Sequence, residues 1–391
     1  MSRVVLVTAQ WGESQGEPAA VLRLVAGALS TRAEVEVVAL GTAGGSRTTA
    51  GPVRTRLDSV FVVHDVPATR ADPALAAVVR AALERSGSGR FPDIAGPRLA
   101  ELAGGRAQGL PEQIAVLGPD TVVLAGLETW WLPDALRMPG GGTRVVSLPL
   151  LGDDAMGGLP QLRALLTEVD AVGVLSRGDT RHLPTAPAAP GPGPGSAPEV
   201  IELDVAFAVH RNAAESQIAE MGDFGPYVVL LTGSPPGSPG AVRSPGHDYV
   251  RRALGPIAVA EVAAHRWSVS SPGKALEMPA GSRTNLWRLL RHAEICIDLR
   301  PQGIVARETL ESLLLGTPVV VPEGTVAAEW AERSNGGLWY RDYRELFDAA
   351  KAILDHPSLR ARLGRQGREW ARMVHGNQGR FEDQVAQLVL R

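Results

Sequence analysis

The stretch RETLESLLLGTPVVVPEG (residues 307–324) decides the fold. Its first half is an apolar segment that predicts a helix over 306–315, and Gly316 stands where a glycine commonly ends a helix. A run of valines follows at once, which predicts a buried strand. The stretch therefore indicates a helix–strand unit of an α/β sheet, with two carboxylates, Glu308 and Glu311, near the front of the helix.

The same alternation of short apolar runs and helical patterns continues along most of the chain. The first 40 residues read as a strand (3–9), a helix (18–30) and a second strand (34–40). This βαβ order implies a parallel sheet covered by helices on both faces. A second series begins at 227. Since 391 residues exceed one ordinary core, we expect two doubly wound α/β halves, hinged near 205–225.

The remaining expected elements follow from the same patterns. Strands are predicted at 60–63, 121–125, 144–148, 171–175, 200–203, 227–233, 294–299 and 318–322, helices at 343–355, 357–374 and 379–391, and 257–263 could be either.

Composition excludes several classes of partner. The formal net charge of −3 offers no basic surplus for nucleic acid or an anionic lipid surface. The single cysteine, Cys296, rules out an intramolecular disulfide and is expected to be a buried thiol. The N-terminus does not resemble a secretory signal, and no segment reaches the ~20 apolar residues that span a bilayer. We therefore expect a soluble cytoplasmic protein.

Three low-complexity stretches, 41–52, 184–198 and 233–246, are predicted to be loops because they cannot bury enough apolar surface to order themselves. The first and third directly follow strands. Ligands of open α/β sheets bind outside the carboxyl ends of strands, so these two loops are candidates for ligand contact.

The turn before the helix at 306–315 is a candidate anion site. The backbone amides of Gly303, Ile304 and Val305 lie where a helix N-terminus, with its unpaired N–H groups and dipole, favours phosphate. Further along, the Glu311 carboxylate could accept hydrogen bonds from two vicinal hydroxyls. The alternative is structural: Arg307 and Glu311, four residues apart, could form a solvated ion pair worth about 0.3–0.5 kcal/mol.

Several strings resemble retaining glycosyltransferases with the GT-B fold, of the family 4 type. TLESLLLGTPVVV is similar to LEAMACGTPVVA of that family, LWRLLRHAEICIDLR to LAALYRAADVFVLPS, and LFDAAKAILDHPSLRARLGRQGREWA to LAEAIRRLLDDPELRARLGEAGRERA. Weaker likenesses occur at 11–30 and 169–183. The resemblance implies two Rossmann-like doubly wound domains facing across a cleft, at 1–210 and 211–375, with a C-terminal helix (376–391) crossing back to the first.

The resemblance also assigns roles in the second domain. Glu311 matches the second glutamate of the EX7E motif, which holds the nucleotide ribose, and Gly316, Thr317 and Pro318 match its GTP tripeptide, a capping turn. The motif is degenerate, because Gly303 replaces the first glutamate, which contacts the donor sugar. Gln302 or Glu308 would have to substitute. The basic residues that clamp the diphosphate would fall in the loop after the strand at 227–233, where Gly233, Arg243 and His247 are the candidates.

In the first domain the family's strand-end histidine is missing. Glu128 stands in its place, and His64, predicted to end a strand, is a second catalytic candidate; a histidine with only local bonds is the alternative. Gly12 and Glu13, in the position of the family's acceptor loop, and Asp153 are candidate substrate contacts. The pair Asp153–Asp154 is not a DxD metal motif and could equally be a solvated turn.

The resemblance thus implies a metal-independent transferase that moves a sugar, with retention, from a UDP- or GDP-sugar to an unidentified glycan, lipid or small molecule. No further cofactor and no nucleic acid partner is expected, and a lipid acceptor would bring peripheral membrane contact. Two alternatives stay open: a non-catalytic GT-B protein acting as a binding or partner subunit, and a sugar-nucleotide epimerase of the same fold.

Overall fold

The chain forms two compact units. The computed structural model describes residues 1–8, 11, 17–40, 54–58, 60–66, 110–126, 129, 142–150, 169–175, 198–209, 214, 215, 218–232, 249–251, 254–263, 266–271, 274–279, 282–300 and 306–391. The first unit comprises Met1–Val205 with Gln378–Arg391, and the second comprises Ala206–Asn377. None of the helices among these residues is both long and apolar enough to cross a membrane.

The first unit is built on an eight-stranded sheet in the order β3-β4-β2-β1-β5-β6-β7-β8. Its strands are β1 (Arg3–Thr8), β2 (Glu34–Leu40), β3 (Arg54–Asp58), β4 (Phe61–Val66), β5 (Thr121–Ala125), β6 (Arg144–Leu148), β7 (Ala171–Val174) and β8 (Glu199–Glu202). Its helices are α1 (Glu17–Ser30), α2 (Leu110–Leu117) and a C-terminal helix, called α8 below (Gln378–Leu390). All pairings are parallel except that of β3 with β4.

The last helix of the chain is held in this first unit through its C-terminal carbonyls. Thr121 Oγ1 donates to the carbonyl of Val389 (3.1 Å), and Arg144 Nη2 donates to that of Leu388 (3.3 Å). Carbonyls in the last turn of a helix have no hydrogen-bond donor inside the helix, so the two side chains supply the donors that these carbonyls would otherwise lack when buried. At Gly173 on β7, a Cβ atom would come within 2.6 Å of Leu388, which explains why the strand has a glycine there.

The second unit holds a seven-stranded sheet in the order β12-β11-β10-β9-β13-β14-β15. Its strands are β9 (Tyr227–Leu231), β10 (Ala258–Ala263), β11 (Arg266–Ser271), β12 (Lys274–Pro279), β13 (Cys296–Asp298), β14 (Val319–Pro322) and β15 (Gly337–Tyr340). Its helices are α3 (Arg283–His292), α4 (Arg307–Leu315), α5 (Val326–Ser334), α6 (Tyr343–Asp355) and α7 (Pro357–Val374), with a 3₁₀ helix at Ala219–Phe224. Among its described strands, the pairings β10–β11 and β11–β12 are antiparallel and the others are parallel.

This strand order creates a topological switch point in the second unit. The chain leaves β9 for β10 on one side, and β13 pairs with β9 on the other side. The carboxyl ends of β9 and β13 therefore face the same edge, where doubly wound sheets bind their ligands. The helix α4 is the next described element after β13, and Thr309 in its first turn donates to Asp298 at the end of β13, so the stretch 307–324 starts near this edge.

The opening stretch folds as its sequence predicts. Gly316 ends α4 in the left-handed region (φ 89°), and its N–H donates to the carbonyls of Leu313 and Ser312. Thr317 Oγ1 donates to the carbonyl of Leu290 (2.5 Å), while Ser312 Oγ donates to the carbonyl of Thr317 (3.1 Å). The tripeptide at 316–318 is therefore a capping turn that also ties α4 to α3.

Most strands and helices expected from the sequence are present, and the ambiguous segment at 257–263 is the strand β10. The sequence analysis did not predict the hairpin β11–β12, the strands β3 and β15 or the helices α2, α3 and α5. The low-complexity stretches 41–52 and 233–246, and all but the last residue of 184–198, lie outside the described residues.

The contact between α4 and α7 generates a stability prediction. A Cβ at Gly364, in α7, would overlap the carbonyl oxygen of Gly316, so Gly364→Ala should lower the unfolding free energy by about 1–3 kcal/mol. Gly27 in α1 is the control, because an added Cβ there meets no atom within 4 Å, and Gly27→Ala should stabilise by about 0.5–1 kcal/mol. Urea unfolding followed by circular dichroism measures both; a Gly364→Ala protein as stable as the wild type would contradict this packing.

Candidate functional site

A cluster of alternating charges lies just beyond the switch point of the second unit. It is formed by three carboxylates (Asp298, Glu308 and Glu311) and three guanidinium groups (Arg283, Arg300 and Arg307). Asp298 is the last residue of β13, the two glutamates lie in α4, and Arg283 is the first residue of α3. Ion pairs therefore join β13, α3 and α4 at this edge of the sheet.

Asp298 and Arg300 form one end of the cluster. The carboxylate is 4% exposed and accepts Arg300 Nε at Oδ1 (2.9 Å) and Arg300 Nη2 at Oδ2 (2.7 Å), which is a closed two-bond fork. It also accepts the backbone N–H of Arg300 (3.0 Å) and the hydroxyl of Thr309 (3.1 Å). Such bidentate pairing fixes orientation as well as charge, so the chain leaves β13 in one defined direction.

Glu308 bridges two arginines. Its Oε1 accepts Arg283 Nη1 (2.8 Å), and its Oε2 accepts Arg300 Nη1 (2.9 Å). The sequence offered Glu308 as a substitute for the missing first glutamate of EX7E. In the structure both of its carboxylate oxygens are engaged by these arginines.

Glu311 is the buried centre of the cluster. Its side chain has no exposed surface, and one oxygen, Oε1, accepts both Arg283 Nε (2.9 Å) and Arg307 Nε (3.0 Å). The other oxygen, Oε2, and Arg283 Nη2 are buried and have no hydrogen-bond partner within the described part of the chain. The solvated-pair alternative is therefore wrong: the pair with Arg307 exists, but its carboxylate lies in the interior.

Burial and the neighbouring charges shift the pKa values of three groups in the cluster. Desolvation raises the pKa of Glu311, opposed by the charges of Arg283 and Arg307. Burial also disfavours the charged form of Arg283, but the charges of Glu311 and Glu308 outweigh it and raise its pKa. Arg307, whose guanidinium lies 4.5 Å from the ring centroid of Phe207, has its pKa lowered mainly by burial. Carboxylate and guanidinium each make the burial of the other tolerable.

Sequence reasoning paired Arg307 with Glu311 but missed Arg283 and Arg300. Arg283 stands 28 residues before Glu311, so no spacing rule connects them. One local signal was present: Ser282 is the N-cap of α3, its Oγ accepting the N–H of Asn285 (3.3 Å), which marks Arg283 as the first residue of a helix. Cys296 is buried as expected, and burial raises the pKa of its thiol.

His64 does not end a strand as predicted. It lies inside β4, which continues to Val66 because Val38 to Leu40 of β2 pair with this segment. Its Nε2 is 2.6 Å from Glu36 Oε2, and its Nδ1 is 3.1 Å from Thr55 Oγ1. Both ring nitrogens are thus engaged across three neighbouring strands, which favours a role in joining the edge of the sheet.

The other predicted site residues lie outside the described residues. They are Gly12, Glu13, Glu128, Asp153, Gly233, Arg243, His247, Gln302, Gly303, Ile304 and Val305. Among the residues that the structure does describe, no group of three or more His, Cys, Asp or Glu side chains could hold a metal ion.

The part of the chain that holds this cluster matches a known family model. Residues 248–386, which include all six charged residues, match a family model described as glycosyl transferase-like. A search of curated proteins finds no match.

Several solved structures are similar over nearly the whole chain. One is the α,α-trehalose-phosphate synthase (UDP-forming) of Burkholderia vietnamiensis, with a TM-score of 0.70 and 15% identity, covering 99% of this chain and 98% of that one. Another is a trehalose-6-phosphate structure from E. coli bound with UDP-2-fluoro glucose, with a TM-score of 0.69, 13% identity and coverages of 98% and 97%. A third is the sucrose-phosphate synthase of Thermosynechococcus elongatus, with a TM-score of 0.66, 14% identity and coverages of 99% and 98%. These likenesses confirm the expected GT-B fold.

The burial of Glu311 generates a second stability prediction. Glu311→Ala leaves Arg283 and Arg307 without their shared carboxylate, so the unfolding free energy of the second unit should fall by about 3–5 kcal/mol. Asp355→Ala is the control, because it removes an exposed pair with Lys351 and should cost less than about 1 kcal/mol. Urea denaturation gives both values, and equal losses for the two variants would show that the Glu311 carboxylate is not the buried centre described above.

Proposed function

We propose that this chain, which resembles GT-B glycosyltransferases in fold and in the sequence of its second unit, transfers a sugar from a nucleotide-diphosphate donor bound in that unit. One observation carries the proposal. Glu311, in the second turn of α4 just past the switch point, is a fully buried carboxylate whose Oε2 has no hydrogen-bond partner among the residues that the structure describes. A ribose hydroxyl would supply that partner, since a hydroxyl can donate to a carboxylate.

The start of α4 suits the diphosphate in this proposal. The helix begins after Ala306, which is in the left-handed region (φ 43°), and no side chain of that residue caps the first turn. The first backbone N–H groups of α4 and the helix dipole would favour a phosphate placed before the helix. As the diphosphate leaves, these groups and nearby arginines would stabilise the charge that develops on it, which is how most of the rate enhancement would arise.

We also propose a donor, a stereochemical outcome and an acceptor-binding unit. A UDP- or GDP-sugar is the proposed donor. The similar E. coli structure bound with UDP-2-fluoro glucose and the similar UDP-forming synthase support the uridine nucleotide. Transfer is proposed to proceed with retention and without a metal ion. The first unit is proposed to take the acceptor, and a lipid acceptor would bring the protein to a membrane surface.

A non-catalytic binding subunit is the second candidate, and one observation favours it. Gly303 has no side chain with which to contact a donor sugar, and of the two substitutes, Gln302 and Glu308, the one that the structure describes, Glu308, has both oxygens engaged by Arg283 and Arg300. Such a protein would bind the nucleotide sugar but would not convert it, whether or not an acceptor is present. An epimerase would convert the donor with no acceptor present.

Isothermal titration calorimetry against UDP-, GDP- and ADP-sugars tests the proposal. We expect one nucleotide to bind, and Glu311→Gln to weaken it at least about tenfold, because hydrogen bonds to a charged group are worth about 1.5–3 kcal/mol. Glu329→Gln is the matched control, since Glu329 pairs with Arg333 in α5, outside the cluster, and should leave affinity unchanged.

Two results would count against the assignment. A folded Glu311→Gln protein that binds as tightly as the wild type would remove Glu311 from the site. Binding of none of the nucleotide sugars by the wild type would remove the proposed donor. Product analysis with the bound donor, with and without candidate acceptors, then separates a transferase from a binding subunit.

A further inference from the structure

The sheet of the first unit ends at one side on the strand β3. This strand pairs with β4, and no other described strand pairs with its outer edge. Two residues separate Asp58 from its partner Phe61, and a pair that flanks a two-residue loop exchanges both backbone hydrogen bonds. Because such pairs alternate along an antiparallel ladder, Leu57 directs its N–H and C=O away from β4. An edge of this kind is a template for another strand.

Apolar side chains lie exposed at the same edge. Leu57 is 72% exposed, and Val62, which is paired with it on β4 and therefore lies on the same face of the sheet, is 37% exposed. Single exposed apolar residues are common on protein surfaces. Here, however, the two side chains form a row that runs to the last strand of the sheet, so a strand added at this edge would cover apolar surface as well as pair backbone groups.

The charges that flank Leu57 select the partner. If two copies of β3 pair antiparallel about a two-fold axis, one residue lies opposite itself. Centring the pair on Leu57 places Arg56 of each copy opposite Asp58 of the other, whereas centring it on Arg56 or Asp58 sets like charges opposite each other, which is destabilising. The Leu57 register also lets the two outward-facing backbones exchange both hydrogen bonds. We propose that β3 is the interface of a homodimer, paired antiparallel about Leu57.

This pairing joins two eight-stranded sheets into one continuous sheet. On one face, Val62 and Leu57 of one copy meet Leu57 and Val62 of the other in an unbroken apolar row. Asp58 already accepts Trp11 Nε1 (2.9 Å) and Arg23 Nη2 (3.0 Å) in its own sheet, so the charges between copies mainly set the register. Since β3 has only five residues, the interface is small, and we expect a dissociation constant on the order of micromolar.

Sedimentation velocity across a concentration series tests the dimer. Between about 1 and 100 μM the wild type should pass from monomer to dimer. Leu57→Asp places two carboxylates opposite each other on the axis and should weaken the dimer at least about tenfold. Val116→Asp is the matched control, because Val116 is an exposed apolar residue (86%) in α2, outside the β3–β4 hairpin, and should leave the dimer intact. Circular dichroism checks that each variant is folded.

Disulfide cross-linking tests the register independently. In Leu57→Cys the two thiols lie on directly opposite residues, whose Cα atoms are about 5.5 Å apart in such a pair, so mild oxidation should link the two copies. In Thr55→Cys, the control on the same face, the two copies of the residue are offset by four residues, about 13 Å along the strands, and should not be linked. The native Cys296 is buried and should not compete.

Three results would overturn the proposal. The first is a wild type that stays monomeric up to about 100 μM, well above a micromolar dissociation constant. The second is a dimer that Leu57→Asp leaves as tight as in the wild type. The third is a Leu57→Cys protein that is linked no faster than Thr55→Cys, which would exclude this register.

Discussion

The fully buried carboxylate of Glu311 is the constraint on which the second unit depends. A carboxylate without exposed surface must be matched by opposite charge, and Arg283 and Arg307 supply it at 2.9 and 3.0 Å. This requirement fixes where α3 begins relative to α4. Through Glu308 and Arg300 the same chain of charges reaches Asp298, so the end of β13 is fixed as well. Three elements are thereby positioned around one edge of the sheet.

The fold places this rigid cluster where a ligand would meet it. The strand order brings the carboxyl ends of β9 and β13 together, and α4 starts from that edge. A site whose charges are already paired changes little when a ligand arrives, so less binding free energy is lost in ordering side chains. The ligand proposed above would then be recognised by hydrogen-bond chemistry rather than net charge, at Glu311 Oε2, which has no hydrogen-bond partner among the described residues.

Sequence reasoning reached the fold because the fold depends on local patterns. Valine runs mark the central strands, Gly316 stops α4, and the GTP turn follows from it. The strands it missed have weaker signals: β15 is a four-residue strand at the edge of its sheet, and β11–β12 pair only with each other and β10. Only part of the candidate site could be predicted from the sequence. Glu311 could be singled out by resemblance, but Arg283 and Asp298 come together through tertiary packing, which no spacing records.

A crystal structure of the protein with its nucleotide diphosphate is the most direct test of the central claim. We predict a ribose hydroxyl within hydrogen-bond distance of Glu311 Oε2, with the two Nε bonds to Glu311 Oε1 retained. A ribose bound away from Glu311 would contradict it.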